Sequence, residues 1–285
     1  MSNRVSIGIV KCGCIGSSVL LEYALDERAE REDIITTVYG TGSKMTEELC
    51  EKAARRAVED GHDMYIIVSP NASLPGPSKG RDILVETGRP VIVITDGAAK
   101  NLAKKLDEIR NVGYIIVLAD SMIGARREFL DPSEMCMYNS YVIRVLTVCG
   151  VYRCIVKCID DVVEKLKRGE EPTLPRIIFD KYHVIEYSGL QNPYALAKAI
   201  AAYEIARHVA DLTVEACFKL KEWEKYTMIA ASAHEMMRTA ALLAEEAREI
   251  DKYIDSLLRT PHARDGRTLT KLKLIEKPTE VSKSV

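Results

Sequence analysis

Val5-Ser6-Ile7-Gly8-Ile9-Val10, followed by Lys11-Cys12-Gly13-Cys14-Ile15-Gly16-Ser17-Ser18, decides the fold class of this chain. The first six residues are an apolar, β-branched run. The next eight form a glycine-bearing turn that leads into a helix. The same alternation repeats downstream. Apolar runs recur at Ile34-Tyr39, Met64-Val68, Val91-Thr95 and Tyr114-Leu118, with helix-favouring stretches such as Thr46-Asp60 and Lys100-Arg110 between them. Strands alternating with helices at this spacing pair in parallel through right-handed crossovers. Such strands are buried on both faces, so they read as continuous apolar runs. The expected architecture is α/β, an open, mostly parallel sheet with flanking helices over residues 1–130. Ligands are expected beyond the C-terminal ends of the strands.

After Asp131 the pattern changes. Asp131-Pro132-Ser133-Glu134 is a helix start, with an Asp N-cap, Pro at the first position and Glu three residues after the cap. Helical periodicity runs to about Lys167, with a break expected at Gly150 and a stop at Gly169. Arg176-Phe179 reads as a short strand, and Asn192-Pro193 opens a helix apolar on more than one face through about Ala210. Ser232-Ala233-His234-Glu235 reads as a capping box. Behind it Ala233, Met236, Ala240, Leu243, Ala247, Ile250, Ile254 and Leu257 form a coiled-coil-like seam about 39 Å long. Residues 131–258 are therefore expected to be a helix bundle and oligomerisation region, with a short strand near 176–180. Residues 259–285 are expected to hold a short C-terminal strand, Thr268-Ile275, and a frayed tail from 277.

The 285 residues are 47% hydrophobic and 29% charged, with net charge -2, a balance typical of a globular protein with a sizeable core. The absence of a basic surplus argues against nucleic acid as a partner. No apolar run approaches the roughly 18 residues of a membrane span, and no secretory signal is visible. The eight cysteines form no C-x-x-C pair and mostly sit in apolar segments, which points to reduced thiols in a cytoplasm. Cys12 and Cys14 supply only two thiolates, so no metal is expected there.

Four segments are candidates for chemistry. The Lys11-Ser18 turn offers backbone and helix N-terminal amides to an anion, or is simply a tight turn. Ser69-Lys79, with three prolines, is a stiff wall suited to a flat ring, or a plain crossover loop. Asp120-Pro132 holds paired arginines that bind carboxylate or phosphate, or form structural ion pairs. His234, in the first turn of its expected helix, is a neutral ligand contact or a satisfied structural histidine. His262 is equally open. No nucleophile elbow, zincin pair or Walker loop is present, which fits a reaction whose chemistry resides in a cofactor.

The segments Lys11-Gly13, Leu25-Ala29, Pro75-Lys79, Ile123-Pro132, Asn192-Ala195, Ala231-Met236 and Leu258-His262 together resemble the deazaflavin (coenzyme F420)-dependent methylenetetrahydromethanopterin dehydrogenases of methanogenic archaea. They occur in the same order and cover nearly the whole chain. The resemblance implies an oxidoreductase of one-carbon metabolism, in methanogenesis or its reverse. Hydride would pass reversibly between C5 of reduced coenzyme F420 and the methenyl carbon of a tetrahydromethanopterin-type pterin. That carbon is already cationic, so no acid or base and no metal is required; stacking and orientation suffice. A cytoplasmic homohexamer, a trimer of dimers, is implied. Strand-end geometry and the resemblance place Lys11, Cys12, Gly13, Ile15, Gly16, Ser17, Asn71, Pro75, Ser78 and Asp96 at the deazaflavin. Asp120, Arg126, Glu128 and His234 are placed at the pterin, the last three as orientation candidates. The chain departs from the family pattern at Cys14, at Asn71-Leu74 and at Gly97-Ala99. The alternatives are a nicotinamide-dependent dehydrogenase and a non-catalytic deazaflavin-binding homologue. The irregular glycine spacing, and the lack of an acidic residue ending the second strand, speak against the nicotinamide reading.

Overall fold

The computed structural model describes residues 4–122 and 131–280. Six strands form one parallel sheet in the order β2-β1-β3-β4-β5-β6. They are β1 (Val5–Lys11), β2 (Ile34–Gly40), β3 (Met64–Ser69), β4 (Val91–Asp96), β5 (Val112–Val117) and β6 (Arg176–Phe179). The apolar runs become these strands because neighbours are covered on both sides. In β3, Met64, Ile66 and Val68 face one core, while Tyr65 and Ile67 face the other. β4 divides likewise, with Ile92 and Ile94 on the first side and Val91 and Val93 on the second.

The second side is closed by α2 (Glu47–Asp60), α3 (Pro75–Val85) and α4 (Ala103–Leu106). The expected helix over Lys100-Arg110 is shorter than its pattern. A 3-10 turn occupies Gly97–Leu102, and α4 ends at Leu106. The first side is closed by α1 (Gly16–Ala29), α5 (Pro132–Val148), α6 (Val151–Lys167), α7 (Lys181–Tyr187), α8 (Pro193–Val214) and α9 (Trp223–Tyr253). One hydrophobic core runs without interruption from β1 to α9. The sixth strand follows α6 and pairs with β5 from Tyr114↔Arg176 to Val117↔Phe179, so the sheet is completed by residues well beyond 130.

Local signals explain the helix ends. Asp131 caps α5, its Oδ1 accepting the Glu134 N–H at 2.7 Å. Gly150 breaks α5 from α6 with φ 92°, and a Cβ there would lie 2.5 Å from the Ser188 nitrogen. Any side chain is therefore excluded by both conformation and space.

The start of α9 differs from expectation. The helix begins at Trp223, nine residues before Ser232. Ser232 is an interior residue whose hydroxyl bonds back to the Met228 carbonyl at 2.9 Å, so Ser232-Glu235 is no capping box. Tyr226 and Ala230 are buried against Ala216, which extends the helix upstream. The buried stripe of α9 is Ala233, Met237, Ala240, Ala241, Ala244 and Ala247, with Met236, Leu243 and Ile250 at its flank. Facing it, α8 presents Ala195, Ala199, Ala202 and Ala206, and the small side chains let the two backbones approach.

Beyond α9, β7 (Leu269–Thr270) and β8 (Thr279–Glu280) form a two-stranded antiparallel sheet. The strand expected over Thr268-Ile275 is thus only two residues long, and residues 279–280 of the expected frayed tail are paired with it. No helix among the described residues is long and apolar enough to cross a membrane.

Candidate active site

The chain turns from β1 to β2 on one side and to β3 on the other, so the order of strands reverses at β1. The crevice beyond the ends of β1 and β3 is where open α/β sheets take ligands. The Lys11-Ser18 turn and the Pro70–Leu74 loop meet there.

The turn is packed against its own protein. Gly13 has φ 85°, and a Cβ on it would meet Met45 at 3.0 Å and Pro70 at 3.1 Å. Its N–H donates to Thr41 Oγ1 at 3.1 Å. At Gly16 a Cβ would lie 2.6 Å from Asp120 Oδ1 and 2.7 Å from Leu146 Cδ1. The cause is the Asp120 carboxylate, which accepts the Gly16 N–H at 2.5 Å and the Ser17 N–H at 2.8 Å. The free amides at the positive end of α1 are therefore filled by an internal anion. The Gly16 and Ser17 amides are thus satisfied within the protein, and the Asp120 carboxylate is fully buried. Cys12 is buried with its thiol beside Cys50, and Lys11 pairs with Glu22. Ile15 is buried, and Cys14 is exposed.

At the end of β3 the loop is shorter than the expected Ser69-Lys79 segment. Pro75 is the first residue of α3, and Ser78 lies in its first turn, its Oγ accepting from Arg81 at 2.7 Å. Asn71 Oδ1 accepts the Ser73 N–H at 3.0 Å, which folds the remaining loop back on itself. The Ala72 N–H donates to Thr95 Oγ1 at 3.1 Å, fastening this loop to β4.

Asp96 ends β4. Its Oδ1 accepts the Gly97 N–H at 2.6 Å, and the Asp120 backbone N–H lies on the same side of the carboxylate and favours its charge. Burial pushes the Asp96 carboxyl up to about 6 against these two N–H groups. Burial pushes Asp120 up to about 7; the charge of Asp96 adds to the rise, and the Ser17 and Gly16 donors oppose it.

The segment after β5 leads toward the helices. Ser121 Oγ lies 2.9 Å from Thr213 Oγ1 of α8, and the Tyr138 hydroxyl of α5 donates to the Ser121 carbonyl at 3.0 Å. His234 is buried on α9, in the helix interior and not in its first turn. Its Nδ1 lies 3.3 Å from Glu134 Oε2, and its ring meets Tyr138 and Tyr141 edge-on at centroid distances of 6.1 and 5.8 Å. The structure thus gathers the β1, β3, β4 and β5 candidates along one edge and sets His234 behind α5. Arg126 and Glu128 lie outside the described residues.

The chain matches the family model for methylene-5,6,7,8-tetrahydromethanopterin dehydrogenase over residues 5–279. The chain belongs to this family. The F420-dependent methylenetetrahydromethanopterin dehydrogenase of Archaeoglobus fulgidus is 49% identical over 96% of this chain and 99% of the relative. That of Methanocaldococcus jannaschii is 46% identical over the same shares. A solved F420-dependent methylene-tetrahydromethanopterin dehydrogenase, in complex with methylene-tetrahydromethanopterin and coenzyme F420, superposes with TM-score 0.92. It is 43% identical and covers 97% of this chain and 100% of that one.

For a methylenetetrahydromethanopterin dehydrogenase the edge is well shaped. Cys14, Ser73, Gly97 and Ala98 are small residues at three adjacent strand ends, a shelf that the exposed Leu74 also borders. β2 ends in Gly40-Thr41-Gly42, without the carboxylate that a ribose-reading nicotinamide site uses. Two cavities lie away from this edge. One of about 430 Å³, lined by Arg4, Asp63 and Arg89, sits at the opposite ends of the strands. Another of about 880 Å³ lies between α8 and the end of α9. Sequence reasoning missed the Glu134, Tyr138, Tyr141 face of α5; their three- and four-residue spacing places them on one side of a helix and was the available signal.

Proposed function

We propose that this chain catalyses reversible hydride transfer between reduced coenzyme F420 and the methenyl/methylene carbon of tetrahydromethanopterin. The observation that carries it is the near full-length likeness to a dehydrogenase solved with both molecules. The shelf of small residues at the reversal of strand order supports it. When bound, the deazaflavin supplies the hydride chemistry; the protein's task is to hold two flat molecules in register and keep water out.

On this reading Gly13, Ile15, Gly16 and Ser17 shape the deazaflavin side through their backbone, with Lys11 and Cys12 behind them. Asn71, Pro75, Ser78 and Asp96 border the same crevice. Asp120 acts from beneath the turn. Arg126, Glu128 and His234 orient the pterin. The active form is a cytoplasmic homohexamer, a trimer of dimers. Residues 1–130 form the cofactor-binding part, 131–258 the helical and oligomerising part, and 259–285 the terminal strand and tail.

The test is an anaerobic absorbance assay. Oxidation of reduced deazaflavin should begin only when methenyl-tetrahydromethanopterin is added. No change with both present, in protein that binds each, would leave a binding protein without turnover. Arg126→Ala should raise KM for the pterin about tenfold with kcat changed less. Unchanged kinetics with loss of the hexamer would reassign Arg126 to assembly.

A further inference from the structure

Asp120 joins two segments that are 104 residues apart in the chain. Its carboxylate holds the first two residues of α1 through the Gly16 and Ser17 N–H groups, at 2.5 and 2.8 Å. Asp96 at the end of β4 lies close enough for its charge to act on the Asp120 carboxyl. Gly16 has no Cβ, and one would collide with Asp120 Oδ1. The turn that borders the deazaflavin crevice is thus locked to β5 by a single buried side chain, with no ligand needed to complete the contact.

We propose that Asp120 is a positioning residue for the deazaflavin, its carboxylate fixing the Gly13–Ser17 turn in the conformation that receives the ring. This rests on the reading that the turn borders the deazaflavin. Among the described residues, the titratable groups facing Asp120 are Asp96 from β4, Tyr138 from α5 and Tyr203 from α8. None of these contributes a positive charge. The two N–H donors and the dipole of α1 favour the carboxylate; burial and Asp96 oppose it. The clamp is therefore firm when Asp120 is ionised and weakens as it takes up a proton. Burial holds the Asp120 carboxyl up at about 7, so deazaflavin binding should depend on pH across the neutral range. Removing the charge of Asp96 should move that dependence to lower pH, a shift that a merely structural role for Asp120 does not produce.

The experiment is equilibrium binding of coenzyme F420, followed by its fluorescence, to the full-length wild type, Asp120→Asn and Asp96→Asn between about pH 6 and pH 8. The ligand's own titration is common to all three and cancels in ratios of Kd. The wild type should bind several-fold more weakly at the acid end than at the alkaline end. Asp120→Asn should bind on the order of tenfold more weakly at the alkaline end, with a flat ratio across the range. Asp96→Asn should keep the dependence with its midpoint at lower pH. Equal Kd and equal pH profiles for wild type and Asp120→Asn overturn the proposal. If Asp120→Asn does not fold, the wild type and Asp96→Asn decide. Coincident profiles for these two, or a flat wild type after correction for the free ligand, overturn it. Failure of the wild type to bind coenzyme F420 at any pH would instead sink the proposed function.

Discussion

His262 Nε2 lies 2.7 Å from Asp160 Oδ2, and this contact fastens the end of the chain to α6. The other ring nitrogen lies 3.1 Å from Glu27 Oε1 on α1, whose same oxygen accepts the His262 N–H at 3.0 Å. Asp160 also takes Arg31 at 2.7 Å and Arg28 at 3.4 Å. With carboxylates at both ring nitrogens, the imidazole is held doubly protonated. Burial opposes this charge, but Asp160 and Glu27 outweigh it and raise the His262 pKa to about 9.

That raised value predicts an alkaline loss of stability. An unfolded histidine titrates near 6.5, so the contribution of His262 is complete below that pH and disappears as pH rises through about 9. Asp160 and Glu27 are both held below their ordinary range, so their share is present above it and is lost on acidification. The His262 share is of order 2–3 kcal/mol. Thermal melts should show Tm falling between about pH 7 and pH 9.5, and His262→Ala should lose most of that slope. Parallel slopes in the two proteins would remove His262 from the account.

Asp160 is the centre of the cluster, and its loss should cost more. Asp160→Ala leaves Arg28, Arg31 and His262 facing one another with one anion fewer, although Arg31 keeps Asp33 at 2.9 Å. Unfolding in urea should show a loss of about 3 kcal/mol or more. A loss under about 1 kcal/mol would mean that water replaces the carboxylate freely.

Gly16→Ala inserts a methyl between Asp120 and Leu146. It should destabilise the protein by about 1–3 kcal/mol and weaken deazaflavin binding, because the turn must shift to make room. Gly40→Ala is the control: it has an ordinary φ and nothing within 4 Å of the added carbon. Similar deazaflavin affinities for the two variants would mean that the turn tolerates displacement.

Thiol labelling reads the shelf directly. Cys12, Cys50, Cys149, Cys154 and Cys158 are buried, whereas Cys14 and Cys136 are exposed. Burial drives the Cys12 and Cys149 thiols far above their ordinary range, which leaves them unreactive in the native state. Native protein should therefore alkylate first at Cys14 and Cys136, as mapped by mass spectrometry. Added coenzyme F420 should slow Cys14 alkylation. Equal rates with and without it would place the ring away from the β1 turn.

His234→Ala tests the pterin side. A residue that orients the pterin should, when removed, raise its KM about tenfold and leave the deazaflavin Kd unchanged. A fall in Tm with unchanged KM would make His234 a packing partner of Tyr138 and Tyr141.

Much of this was legible in the chain because the signals are local. The continuous apolar runs, the Asp131 cap, the Gly150 break and the strand at Arg176-Phe179 each depend on residues within a turn or two of one another. His234 shows the limit. Ser232 and Glu235 carry the spacing of a cap, yet Tyr226 and Ala230 find burial against Ala216 and pull the helix nine residues further upstream. Tertiary packing outweighed a local signal worth about 1 kcal/mol.

The sequence by itself determined the parallel α/β sheet, the helices that cover it and, through extended motifs, the family. Hydrophobic periodicity and capping are written in neighbouring residues, so they survive without the fold. Only the tertiary structure decided that the α1 N-terminus is filled by Asp120, that β6 closes the sheet beside β5, and that His262 is charged between Glu27 and Asp160. Those partners lie 104, 62 and over 100 residues apart, pairing Gly16 with Asp120, Tyr114 with Arg176, and His262 with Asp160. A buried charge takes whichever opposite charge or dipole the fold brings to it, and no periodicity along the chain records that choice.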